Sequence, residues 1–322
     1  MIILTGGAGF IGSVLLARLN AGGYSDILIV DELGQGEKWK NLVGKKFSGF
    51  IHKDEFLHHV PNITRGQVEA VFHLGACTST TERNVDYLLK NNYEYSKTLA
   101  RLCIGFDIPF IYASSAATYG DGKQGFSDAI SSLDSFRPLN PYGYSKHIFD
   151  QWVIQEGYEK LLTGFKFFNV FGPNEYHKEG MASLIYKAFH QIRQTGRLQL
   201  FKSYDPKYRD GESVRDFIYV KDCVDVLMWA FEHPEKTGIY NLGSGKARSW
   251  NDLADSVFSA MDLPKQVDYI EMPLLIQPAY QYFTEADMTK LQSAGYEKPF
   301  TALEEAVTDY VRCYLSRENQ YL

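Results

Sequence analysis

The chain has 322 residues, 45% of them hydrophobic, and a formal net charge of −6. That is enough apolar material for one large α/β domain or two lobes, and the acidic balance excludes general binding to nucleic acid or to an anionic membrane. Cys77, Cys103, Cys223 and Cys313 lack metal-type spacing, so reduced structural thiols and no metal are expected. Met1 already opens an apolar strand and no apolar stretch approaches membrane-spanning length. Neither a signal peptide nor a membrane span is expected, and a cytoplasmic location follows as the expectation.

The first element is the strand Met1-Ile2-Ile3-Leu4-Thr5, which breaks into Gly6-Gly7-Ala8-Gly9-Phe10-Ile11-Gly12 before a helix over Ser13 to Leu19. Strand, glycine turn and helix N-terminus present bare backbone N–H groups to a pyrophosphate, the signature of a dinucleotide site. Glycines 7, 9 and 12 satisfy one spacing of the fingerprint and glycines 6, 9 and 12 another, so the pattern alone does not choose a subfamily. A second strand, Ile27 to Val30, ends at Asp31, about 20 residues beyond the glycines, where a carboxylate can accept from an adenosine ribose.

Further strand-like runs fall at 70 to 74, 108 to 114 and 165 to 170, alternating with helical stretches. This rhythm predicts right-handed βαβ units and a doubly wound parallel sheet. The run Ile111 to Ser115 ends in hydroxyls, at the sheet edge where ligands of such folds bind. Asn140-Pro141 predicts a helix start, Asn as the N-cap and Pro in the first turn, which puts Tyr142 and Lys146 on one helical face. Alone, such a pair is an aromatic and a lysine on a half-exposed helix. Downstream of a dinucleotide fingerprint it reads as a catalytic pair, in which a nearby ammonium and the cofactor's positive charge lower the phenol's pKa from ~10. Beyond residue 170 the regular alternation fades, and Tyr204 to Glu212 is a polar loop. The expected division is a dinucleotide-binding domain over 1–170, its sheet completed by segments after 210, and a smaller α/β substrate lobe mainly over 171–322.

Ser115, Tyr142 and Lys146 match the Ser/Thr, Tyr and Lys triad of the extended short-chain dehydrogenase/reductase superfamily, which the whole chain resembles. The resemblance includes Asn169-Val170-Phe171-Gly172-Pro173, Arg215 to Asp222 and Tyr240 to Gly245. It sharpens at His73 to Glu82, Asn91-Asn92, Ala113 to Gly120, His177-Lys178 with Met181-Ala182-Ser183, and Tyr280 to Thr284. These segments look like the ADP-L-glycero-D-manno-heptose 6-epimerase family. The resemblance implies a Rossmann fold, a cytoplasmic homo-oligomer, NADP as cofactor with NAD as the alternative, and an ADP-heptose substrate destined for lipopolysaccharide core. It also implies oxidation at C6 to a ketone, turnover of the carbonyl, and hydride return on the other face.

Residue roles follow from the same resemblance. Tyr142 and Lys178 serve as proton-transfer groups on opposite sides of the substrate, with Lys146 and Ser115 completing the catalytic set. Gly6, Gly9, Phe10, Ile11 and Gly12 flank the pyrophosphate, and Asp31 and Glu32 sit at the ribose. Two carboxylates favour an unphosphorylated ribose, whereas Lys38 and Lys53 match positions that neutralise a 2′-phosphate. Leu74, Gly75, Ala76, Cys77, Thr78 and Asn91 run beside the cofactor, with Val170 near the nicotinamide; Tyr142, Lys146 and Lys178 also face it. Substrate contacts are expected at Ser115, Asn169, Gly180, Lys187, Phe201, Lys202, Ser203, Tyr204, Arg215 and Tyr280, Arg215 being suited to a diphosphate. Gly180 and Lys187 depart from the serine and histidine frequent in the family, and the segment 205–214 is longer than usual. A nucleotide-sugar 4,6-dehydratase is the competing enzyme reading, but Ala116 and Ala117 provide no acid pair for elimination. A non-catalytic dinucleotide sensor is the third reading, and it needs no phenol beside the nicotinamide.

Overall fold

The computed structural model describes residues 1–59, 66–274, 277 and 280–322. In chain order the main elements are β1 (Ile2–Thr5), α1 (Phe10–Ala21), β2 (Ile27–Asp31), β3 (Gly49–His52), α2 (Lys53–His59), β4 (Ala70–His73), α3 (Val85–Leu88), α4 (Tyr95–Gly105), β5 (Phe110–Ser115), α5 (Pro141–Gln155), β6 (Thr163–Phe167) and β7 (Asn169–Phe171). There follow α6 (Leu184–Thr195), β8 (Leu198–Phe201), β9 (Val214–Tyr219), α7 (Val220–Glu232), β10 (Gly238–Leu242), β11 (Ala247–Ser249), α8 (Trp250–Ala260), β12 (Val267–Ile270), α9 (Thr289–Ser293) and α10 (Leu303–Tyr310).

Seven strands form one parallel sheet in the order β10-β6-β5-β4-β1-β2-β3. Strand order reverses between β1 and β4, which opens a crevice above their C-terminal ends. The register brings those ends together: Thr5 lies opposite both Val30 and His73, and Ser115 opposite Phe167. Each site segment therefore leaves the sheet on the same edge. β3 was absent from the sequence reading because Gly49–His52 is a half-exposed edge strand without an apolar run. The other outer edge is β10, contributed from far along the chain.

Both faces of the sheet are covered, as a parallel sheet requires. Ile2 and Leu4 pack into a core with Val14, Leu15 and Leu19 of α1 and Val224 and Leu227 of α7, while Ile3 packs with Leu99, Cys103, Phe149 and Val153 on the opposite face. That alternation is the strand period of two, and each such side chain contributes ~1.5–3 kcal/mol when fully buried. Beyond β6 a three-stranded sheet, β11-β9-β7, brings Asn169, Val170, Phe171 and Phe217 to the crevice, and β12 pairs with β8 in a separate two-stranded sheet. Among the described residues no helix is long and apolar enough to cross a membrane.

Candidate active site

The glycine turn is shaped by close backbone approach. Gly6 has φ +71°, and a Cβ there would lie 2.6 Å from the Gly75 nitrogen; one on Gly9 would lie 3.0 Å from the Gly6 oxygen, and one on Gly12 would overlap that oxygen. The turn is closed by Gly9 N–H donating to the Gly6 carbonyl at 2.9 Å. Helix α1 starts at Phe10, three residues earlier than the sequence reading, with Gly9 as an N-cap that has no side-chain hydrogen bond. Its first-turn N–H groups thus face the crevice uncapped, as an anion site needs. These features fit a pyrophosphate.

At the adenosine end the acidic pair is already engaged. Asp31 is buried; one oxygen accepts from Ala8 N at 2.8 Å and the other from Glu32 N at 2.7 Å and Lys38 Nζ at 2.5 Å. Lys53 Nζ lies 2.6 Å from a Glu32 oxygen and donates to Asn91 Oδ1 at 3.0 Å. The Lys53 bond draws the Glu32 carboxyl below its usual range, while Lys53, pulled down by burial, is carried above its ordinary value by Glu32. All four side chains and Asn91 line a side pocket of about 110 Å³ that joins the main crevice at Gly6, Asp31 and Lys38.

Beneath the crevice floor, hydrogen-bond directions fix the state of His73. Ser96 Oγ donates to the Asn92 carbonyl at 2.6 Å, so at 2.7 Å from His73 Nε2 it can only accept. His73 is therefore protonated on Nε2, and Thr5 Oγ1, 2.7 Å from Nδ1, donates there while accepting from Gly75 N at 3.1 Å. Burial pulls His73 down to about 3, so it stays neutral and ties the ends of β1 and β4 together. Asn92 performs a similar task one step along, accepting from Cys77 N at 2.8 Å and donating to Cys77 O and Ser145 Oγ. It sits in a π-helical stretch, Leu89–Glu94, a local widening common at functional sites. Leu74, Gly75, Ala76, Cys77 and Thr78 form the crevice wall that these bonds hold.

Helix α5 starts as its sequence implies, with Asn140 Oδ1 accepting from Gly143 N at 2.8 Å and Pro141 in the first turn. Tyr142 and Lys146 then face Ser115 at the end of β5, and all three line the crevice. Ser115 offers a hydrogen bond to the Tyr142 hydroxyl, but burial is the larger influence and raises the phenol above its ordinary value. The expectation that Lys146 lowers it is corrected for the chain's own groups. Lys146 Nζ donates to the Ala113 carbonyl at 2.7 Å, and burial brings this lysine down to about 8 against the opposing pull of Asp150. Asp150 is wholly buried one turn beyond Lys146, accepting from Ser114 at 2.6 Å and Tyr112 at 3.1 Å and paired with buried Lys166 at 2.5 Å.

The opposite wall comes from the loop after β7. Lys178 Nζ stands 5.4 Å from the centre of the Phe10 ring, and burial lowers its pKa while Glu175 opposes that fall. His177 Nδ1 is 3.2 Å from the Asn41 amide, and burial takes this imidazole down to about 4. Glu179, just after Lys178, has φ 46°, a left-handed conformation that a non-glycine residue adopts only when its surroundings impose it. Lys178, Phe10, Ile11, Asn169 and Val170 share with Tyr142 a crevice of about 730 Å³, a size suited to small-molecule binding.

The remaining candidates lie outside that lining. Gly180 is exposed and its carbonyl accepts from Lys187 Nζ at 2.6 Å. Phe201 closes β8, Lys202 pairs with Glu271 at 2.6 Å, Ser203 N donates to Asp210 at 2.8 Å, and Tyr204 is exposed with its hydroxyl on Glu271. Arg215 is buried on β9 between the rings of Trp250 and Tyr280, at 5.5 and 5.3 Å, and its guanidinium meets only the Val214 and Gln281 carbonyls among the described residues. The Tyr280 hydroxyl accepts from Trp250 Nε1 at 2.8 Å. Trp250 itself lines the crevice, so Arg215 and Tyr280 stand directly behind its lining. No group of three His, Cys, Asp or Glu side chains among the described residues is placed to hold a metal ion.

Residues 2–243 match the NAD dependent epimerase/dehydratase family. The chain belongs to that family. It is 50% identical over the full length of both chains to a protein of Nitratidesulfovibrio vulgaris named ADP-L-glycero-D-manno-heptose-6-epimerase, and 46% identical, again over both full lengths, to one of Fusobacterium nucleatum with the same name. The crystal structure of Helicobacter pylori ADP-L-glycero-D-manno-heptose-6-epimerase is similar, with a TM-score of 0.80 and 27% identity over 96% of this chain and 94% of that one. UDP-glucose 4-epimerase of Thermotoga maritima follows at a TM-score of 0.76 and 25% identity, covering 97% and 98% of the two chains.

A nicotinamide dinucleotide is the cofactor of this epimerase/dehydratase family, and the uncapped glycine turn accommodates one. Sequence reasoning did not single out His73, Asn92, Asp150, His177 or Trp250 as working residues. His73, Asn92 and His177 lie inside motifs that signalled the family. Asp150, one helical turn beyond Lys146, carried a periodic signal on α5. Trp250 carried none, since it reaches the crevice only through the docking of α8.

Proposed function

We propose that the protein interconverts the C6 epimers of ADP-glycero-manno-heptose, D-glycero to L-glycero, in the supply of activated heptose for lipopolysaccharide core. The observation that carries this reading is the full-length likeness to epimerases of that name over a crevice lined by both Tyr142 and Lys178. When bound, the dinucleotide supplies reversible oxidation at C6, which makes the substrate carbon planar. The chain's own residues then manage protons on two sides of one carbonyl. Tyr142 moves the proton at one face, with Ser115 orienting its hydroxyl, and Lys178 gives or takes it at the other. Both lysines titrate below their ordinary value, which brings an ammonium closer to working as an acid near neutrality. Lys146 holds the nicotinamide ribose, Arg215 receives the substrate diphosphate beside Trp250 and Tyr280, and Asn169 contacts the sugar.

NADP is the preferred cofactor in this reading. Each Asp31 oxygen is engaged by backbone N–H or Lys38 donors, which leaves this acid poorly placed as the ribose acceptor. Lys38 and Lys53 converge on the side pocket, where a 2′-phosphate takes their charge in place of the carboxylates. Ala116 and Ala117 beside Ser115 offer no proton-transfer group for elimination, which supports epimerisation over dehydration.

The test is to incubate the cofactor-loaded protein with ADP-D-glycero-D-manno-heptose and resolve the C6 epimers by NMR. Conversion without added cofactor is the expected result. Loss of water from a nucleotide hexose, or no turnover of the ADP-heptose, sinks the assignment.

A further inference from the structure

The loop from 172 to 183 carries Lys178 into the crevice, and one buried carboxylate holds both of its ends. Glu175 is 1% exposed. One oxygen accepts from Gly172 N at 3.3 Å and from the Ser183 hydroxyl at 2.7 Å, and the other accepts from Ser183 N at 2.5 Å. Ser183 in turn caps α6 by accepting from Tyr186 N at 3.2 Å. Convergence of these donors is the environment an ionised carboxylate satisfies.

A charge so removed from water needs a countercharge. Lys178 acts as a cation on Glu175 and Glu175 as an anion on Lys178, while burial is the larger influence on each, raising the Glu175 carboxyl above its ordinary value and lowering the Lys178 ammonium below its own. The other titratable groups around the carboxylate are the hydroxyls of Tyr176 in the same loop, Tyr186 on α6 and Tyr310 on α10. Around Lys178 stand His177 and, from α1, the uncharged Phe10 ring.

We propose that Glu175 is a positioning residue for Lys178, whose carboxylate closes the 172–183 loop and keeps the Lys178 ammonium charged and directed into the crevice. This rests on the catalytic reading of Lys178 given above. Two effects combine. The hydrogen bonds join the exit of β7 to the start of α6, which fixes where Lys178 can reach. The charge then offsets part of the cost of burying an ammonium, so its removal leaves burial to act alone and Lys178 sheds its proton at lower pH.

The test reads Lys178 directly. Cofactor-loaded wild type and Glu175→Gln are pulsed with acetic anhydride across pH 6 to 10, and labelling of Lys178 is quantified by peptide mass spectrometry. The midpoint is expected to fall by about 1 pH unit in Glu175→Gln, and to return most of the way in Glu175→Asp, which keeps the charge. Epimerisation near pH 7.5 should fall roughly 10-fold in the Gln variant with bound dinucleotide unchanged. An unmoved midpoint overturns the proposal whatever the rate does. A Lys178→Met enzyme with wild-type rate would sink the catalytic reading instead, and leave the labelling result standing.

If Glu175→Gln does not fold, the coupling is read from the other partner. Lys178→Met withdraws the countercharge, so its deficit in melting temperature against wild type should widen from pH 5 to pH 7 as Glu175 ionises. A deficit flat across that range overturns the proposal.

Discussion

Adding one methyl group at Gly12 should do more damage than adding one at Gly9 in the same turn. A Cβ at Gly12 overlaps the Gly6 carbonyl oxygen, where an ordinary C···O contact is ~3.3 Å or more, so the turn must open by about 1 Å. That oxygen also accepts from Gly9 N at 2.9 Å, so opening weakens the bond that closes the turn, at ~0.5–1.5 kcal/mol. Overpacking adds ~1–3 kcal/mol, and the gain of alanine over glycine inside α1 returns ~0.5–1 kcal/mol. The net loss is about 1–3.5 kcal/mol, which for a chain of this length lowers the melting temperature by roughly 1.5–5 °C. Displacing the amide frame by about 1 Å should also cost on the order of 100-fold in activity and cofactor retention. Gly9→Ala, whose Cβ lies 3.0 Å from the same oxygen, needs a smaller adjustment and should fall between Gly12→Ala and wild type. Gly180→Ala meets nothing within 4 Å and should match wild type in both. The assay is dinucleotide released from denatured protein, measured beside thermal melting. A Gly12→Ala protein with full cofactor and an unchanged melting temperature would refute the reasoning.

Tyr142→Phe keeps the ring and removes the hydroxyl, so epimerisation should drop by roughly 10²- to 10⁴-fold with cofactor retained; a drop under 3-fold in steady-state rate refutes the phenol's role. Lys146→Met should lose rate and bound dinucleotide together, checked by absorbance of the purified protein, because its ammonium is assigned to the nicotinamide ribose. Lys53→Ala leaves Glu32 without its partner and should weaken NADP by about 10-fold or more while changing NAD less than 3-fold, as read by titration calorimetry; equal losses argue against a 2′-phosphate in the side pocket. His73 titrates near ~6.5 when unfolded and at about 3 when folded, so the unfolded chain binds the extra proton in that window and stability falls as pH drops. Urea unfolding at pH 6.5 and 4.5 should show His73 contributing a loss of about 2–3 kcal/mol over that step, and His73→Gln should have a correspondingly flatter dependence.

Four inner strands, β1, β2, β4 and β5, together with the glycine turn and the start of α5, were legible in the sequence because each is a local signal. Short apolar runs, a Gly-rich break and an Asn-Pro cap act over a few residues and owe little to the rest of the chain. Tertiary structure alone decided the rest. β3 and β10 became sheet edges through pairing partners that no local pattern announces. Which donors hold Asp31 and Glu32 was settled only when folding brought Lys38 and Lys53 onto them, and the Tyr142 phenol, read from sequence as lowered, is raised by burial among the chain's own groups. The buried supports, His73, Asn92, Asp150 and Glu175, act across gaps in the chain that only packing closes. A carboxylate's charge and a lysine's pKa depend on what surrounds them in a medium of low dielectric, and those surroundings come from distant segments.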